Sequence, residues 1–235
     1  MSQKQHGHST ATRDRDIEGL VQKRLEALGK PRSIDSLKQL FWSDLEYTRA
    51  MSLLPFLSWP DITRQTIDIA DRDGPVLLFA TGGDGENFHI IYIHLASQQL
   101  SLSAERAIVT RLLKDHQDAL FVFSNQQQDT WHFLNVKADD KHSSRLIFRR
   151  ITVGPQERLR TATERIAMLS LAGREHVSSM DIRVLYEKAF DVEAVTKRFF
   201  ELYRSVFERV ERDIEGFADV DSRRLFTQRL FNRLM

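Results

Sequence analysis

The 235-residue chain contains no cysteine. Disulfides, thiolate metal centres and cysteine nucleophiles are therefore excluded. Excess charge is also missing. The 34 Lys and Arg nearly cancel 33 Asp and Glu, leaving a formal net charge of +1. The total gives no general attraction to nucleic acid, so any such attraction must come from a local cluster. No apolar run approaches the roughly 20 residues that a membrane helix needs. The opening Met1–Ser9 lacks the apolar segment of a secretory signal. These features lead us to expect a cytoplasmic location and no membrane partner.

What is present is an ordinary globular mixture, 41% hydrophobic and 29% charged. It can form one sizeable core, or one core with a helical appendage. Residues 1–32 read as a polar tail and a short helix from Asp16 to Leu28, with Ile17, Leu20, Val21, Leu25 and Leu28 on one side. His6 and His8 in the tail read as part of a polar segment rather than a metal pair. Ser33 is expected to cap a helix running to Met51 that buries Leu37, Leu40, Phe41 and Leu45. Pro55 and Trp59-Pro60 interrupt the chain, and a short helix or extended piece is expected over Asp61–Ile69.

The hydrophobic period then changes. Segments 75–81 and 87–95 read as strands joined by the glycine-rich turn Gly82–Gly85. Residues Ser103–His116 read as a helix, and 119–124, 131–137 and 145–153 as three more strands. The expected class is α+β (or α/β), a mixed sheet of about five strands with flanking helices, spanning 33–153. Residues 154–235 read as an all-helical connector. In it, Ser178 or Ser179 caps one helix, Asp191 caps a long one, and Val195, Phe199, Leu202, Val206, Val210 and Ile214 form a stripe that reads as core or partner contact. The last helix shows an apolar face through Leu225, Phe226, Leu230, Phe231 and Leu234, with no stop signal after it. That pattern predicts a chain truncated at its C-terminal end.

Several blocks in one order carry a resemblance. They are Ser103–Leu113, Ala119–Asn125, Trp131–Lys137, Phe148–Pro155, Glu157–Thr161, Ala189–Phe200 and Phe226–Met235. Together they resemble the amino-terminal region of large bacterial single-chain, type IIG-like restriction–modification enzymes with an adenine-specific DNA methyltransferase core. The resemblance implies a restriction-nuclease-like fold and a partner methyltransferase module, in cis or in trans, that holds S-adenosylmethionine. This sequence has no Pro-Pro pair for the catalytic tetrapeptide that grips a flipped adenine. Its Gly82–Gly85 stretch reads as a hairpin turn rather than a nucleotide loop. The chain alone is therefore expected not to methylate DNA.

A restriction-type nuclease sets an Asp at one strand end and a Glu-x-Lys on the neighbouring strand, holding Mg²⁺. Here the corresponding run is Asn135-Val136-Lys137, with Lys137 as the lysine and Asn135 in the acid's place. Asp73, Asp84 or Glu86 are the candidate carboxylates. Asn135 and Lys137 read equally as an exposed strand end, and Asp139-Asp140 as a solvated loop. Lys137, Lys141, Arg145, Arg149, Arg150, Arg158 and Arg160 form a basic cluster, suited to phosphates or to local ion pairs. His89 and His94 have opposite strand parity and cannot share one metal. A Ser124–His132 nucleophile pair lacks an orienting acid. Three functions follow: a DNA-engaging amino-terminal part of a restriction–modification methyltransferase, an active Mg²⁺-dependent endonuclease, or a protein-interaction module without a DNA role.

Overall fold

The structure is a computed structural model that describes residues 6–54, 76–138, 145–174, 176–217 and 219–234, without the side chains of 6–15, 76, 138, 192–199 and 234. It divides into two compact units, Met1–Phe190 and Asp191–Met235. The first is α+β, as expected, and is built on one six-stranded mixed sheet of order β1-β2-β3-β4-β5-β6. The strands are β1 (Thr48–Leu53), β2 (Val76–Gly82), β3 (Phe88–His94), β4 (Ala119–Ser124), β5 (Trp131–Ala138) and β6 (Leu146–Val153). Every neighbouring pair is antiparallel except β3 and β4. A parallel pair needs a crossover, and α3 (Leu102–Leu112) supplies it.

All six residues of β4 are buried, and β3 is buried on both parities. One parity (Ile91, Ile93, Phe121, Phe123 and Leu134) packs against Ile108, Val109 and Leu112 of α3. The other (Phe88, Ile90, Tyr92, Leu120, Val122, Trp131 and Phe133) packs under α1 (His6–Leu28), α2 (Ile34–Gln39), α4 (Leu159–Ala167) and α5 (Ser179–Ala189). Aromatic rings dominate this second layer. Phe41 stands edge-on to Tyr47 and Phe79, and Tyr92 stacks on Trp131 at 5.7 Å.

Local chemistry explains where the elements differ from expectation. Ser33 does not cap α2. Its Oγ lies 3.0 Å from Leu28 O and 2.6 Å from Gln128 O. Trp131 Nε1 also donates to Leu28 O at 3.0 Å, so the end of α1 is satisfied by groups far along the chain. The expected helix to Met51 stops early. It widens into a π-turn over Leu40–Asp44, and Glu46 takes a left-handed φ of 59° that a helix cannot continue through. The chain then enters β1, an edge strand with no buried residue and hence no clear alternation. The Gly83–Glu86 turn does use positive φ, at Gly83, Gly85 and Glu86. A Cβ on Gly83 would sit 3.1 Å from Val177 O, and Asp84 N donates to that same carbonyl at 2.7 Å.

The sequence places a boundary at 153/154, but the division falls at Phe190 because α4 and α5 complete the sheet's core. Ile166, Ile182, Tyr186 and Phe190 are buried there, and Tyr186 meets Phe88 with ring centroids 4.6 Å apart. Tyr47 OH donates to Leu169 O and lies 3.0 Å from Tyr186 OH, and burial pushes both phenols upward, which keeps them neutral. Ser178 and Asp181 form a reciprocal capping box on α5.

The second unit pairs α6 (Val192–Asp213) with α7 (Val220–Leu234). Phe231 sits edge-on to Tyr203 and Phe207 at 5.3 and 5.4 Å, and Phe217 meets Phe226 at 5.2 Å. The packed face runs through Tyr203 and Phe207 and continues in half-buried Val210 and Ile214 of the predicted stripe, whose Leu202 and Val206 are exposed. Val195 and Phe199 lie outside the described side chains.

Phe133 is fully buried in the aromatic layer, whereas Met51 on β1 is exposed. Phe133→Ala should cost about 3–5 kcal/mol through lost transfer and a cavity. Met51→Ala should stay within about 0.5 kcal/mol. Urea midpoints at unchanged slope check both.

Candidate functional site

The sheet face under α1, α2, α4 and α5 is apolar apart from Ser124 at the end of β4, until its last rows at the other end. There β5 turns Asn135 and Lys137 toward the same side as Trp131 and Phe133. Asn135 is directly opposite Leu120 on one side and Arg149 on the other, and Lys137 is opposite Ile147. Continuing the β4–β5 register two steps beyond Leu120 and Asn135 places Asp118 opposite Lys137. Sequence reading missed Asp118, which stands in a polar loop just ahead of β4. Only the register brings it beside Asn135 and Lys137. Its Oδ1 lies 3.5 Å from Arg183 Nη1 of α5. Asn135 is buried, and Lys137 and Arg149 are half-buried with partners of their own.

In this arrangement an acid enters one strand and a lysine stands on the next. Among the described residues it offers Mg²⁺ a single carboxylate, that of Asp118. The second ligand position is the neutral amide of Asn135, and a hard dication wants several charged oxygens. Among the described residues, no three His, Asp or Glu side chains converge on one point. Asp84 and Glu86 sit on the hairpin turn, where Asp84 lies 3.7 Å from His176. Asp73 and Asp139-Asp140 fall outside the described residues.

The basic cluster separates. Arg145 and Arg149 share the parity of Ile151 and Val153, toward the helix-covered face, and exposed Arg150 turns toward α3. On that α3 side, Arg106 lies over the Phe148 ring at 5.3 Å. Arg158 and Arg160 follow the opposite end of β6, and Arg160 pairs with Glu164. Lys141 lies outside the described residues. The cationic end thus consists of Lys137, Arg145 and Arg149, with Arg150 around the edge strand.

Ser124 and His132 do not pair. Ser124 Oγ is 2.8 Å from Tyr92 OH on one face, and His132 is on the other, facing α3. There His132 Nδ1 meets Glu105 Oε1 at 2.5 Å, and Glu105 is fully buried with Oε2 unpartnered. Glu105 reads in sequence as an ordinary helix residue, and nothing local marks it. His94 Nε2 donates to Gln126 O, while His89 turns to the α3 side and meets His116, with Nδ1 atoms 2.9 Å apart. Burial holds both His89 and His116 below the ordinary imidazole value, and nearby Asp118 partly offsets this at His89.

Comparison with protein-family models, curated proteins and solved structures finds no match for the chain.

Removing one member of the Glu105–His132 pair strands the other in the interior. Glu105→Ala should cost about 3–5 kcal/mol. The double replacement Glu105→Leu with His132→Leu should cost much less than the two single changes together, which a double-mutant cycle by chemical denaturation reads directly.

Proposed function

We propose that this chain is the amino-terminal, DNA-engaging part of a restriction–modification methyltransferase, with a nuclease-like sheet that lacks a cutting centre. One observation carries the reading: a polar, cationic end (Asn135, Lys137, Arg149 and Arg145) set on a mostly apolar sheet face at its terminal strand. Arginine forks and a lysine ammonium suit phosphate oxygens. Asn135 in the acid's position supports contact without hydrolysis. The sequence resemblance points the same way, and the methyltransferase and its S-adenosylmethionine belong to a separate module.

The second unit suits coupling to that module. Phe200, Leu202 and Val206 on α6, and Val220, Leu225, Phe226 and Leu230 on α7, remain exposed. A two-helix hairpin has a second apolar side left over once its seam is filled, and such exposed patches mark interaction surfaces. This feature also supports the plain interaction module, and DNA binding separates the two readings.

Duplex DNA should bind with an affinity that falls linearly on a log–log plot against salt. Arg145→Ala should weaken binding about equally on all sequences and lower the slope by about 0.9, whereas Arg150→Ala, on the opposite face of β6, should change it much less. Supercoiled plasmid with Mg²⁺ should stay uncut. Salt-independent or absent binding leaves the interaction module. Cutting that Lys137→Ala abolishes establishes the endonuclease.

A further inference from the structure

We propose that His89 and His116 form a binding site for a first-row transition-metal dication of the class imidazole favours: zinc, nickel or copper. His89 opens β3, and His116 follows the last turn of α3. Two backbone bonds hold the rings in place, one from His89 N to Asp118 O and one from His116 N to Leu112 O, both 2.9 Å. The Nδ1 atoms face each other at 2.9 Å, with ring planes 76° apart. At that distance the two nitrogens share a single proton, and a dication can take its place.

The spacing suits the exchange. Imidazole nitrogens bind such metals at about 2.0–2.1 Å, so two ligands at a right angle stand about 2.9 Å apart and at a tetrahedral angle about 3.3 Å. Both rings are half-buried, which leaves an open side for water to fill the remaining positions. Asp115 is tied to Arg111 and Asp118 lies against Arg183, so neither carboxylate is required. A bound ion joins the end of the crossover helix to the start of a central strand. It lies on the α3 side of the sheet and is independent of the DNA reading.

Zinc titration of the full chain at pH 7.5 tests the site, read by calorimetry, by melting temperature and by the ring-proton resonances of the wild-type histidines. One equivalent should raise the melting temperature and shift the His89 and His116 resonances first. His89→Gln and His116→Gln should each weaken zinc binding at least about tenfold, while His94→Gln should leave it unchanged. The resonance readout needs no variant, so a misfolded variant does not blunt the test. Unmoved His89 and His116 resonances, or wild-type affinity in His116→Gln, overturn the proposal and leave a hydrogen-bonded pair.

Discussion

Everything in the first unit follows from the need to bury β3 and β4 on both faces. Ile90, Tyr92, Leu120 and Val122 face one way, and Ile91, Ile93, Phe121 and Phe123 the other. Two-sided apolar strands cannot sit at a sheet edge without exposing one set. They therefore pair centrally and in parallel, which requires the α3 crossover on one face and a layer of helices on the other. Once α3 covers its side, α1, α2, α4 and α5 must share the opposite one. That is why α4 and α5, far along the chain, belong to the sheet unit. The close approach of Gly83 to Val177 and the Tyr47–Tyr186 contact are consequences of this crowding.

A core sealed this tightly leaves function to the margins. Strand ends and the outer edge of β6 are where polar side chains reach solvent, and the cationic cluster lies there. Interior polar groups serve a different purpose. Glu105 and His132 bind α3 to β5 through a single short contact. A fully apolar pair would pack as well but would not fix the angle of the crossover helix in the same way.

The sheet was legible because its signals are local. Alternation over Trp131–Lys137, the apolar run Ala119–Ser124 and the glycines at 82–85 each report on their own neighbours. The β1 strand was not, because an exposed edge strand lacks alternation and the left-handed Glu46 that ends the preceding helix is an uncommon choice for that conformation. The candidate site was half legible. Asn135 and Lys137 were visible as a motif, whereas Asp118, Glu105 and the His89–His116 contact depend on register and on a helix crossing the sheet, which no local pattern encodes. The split of the basic cluster was legible too, because strand alternation alone sets Arg149 and Arg150, neighbours in the chain, on opposite faces.

Hydrogen–deuterium exchange, with and without duplex DNA, tests the account most directly. β6 is an edge strand, so alternate amides point away from β5 and exchange quickly in the free protein. DNA should slow the peptide covering 145–153 while β3 and β4 remain as slow as before. Unchanged exchange across 145–153, with protection confined to 192–234, would contradict it.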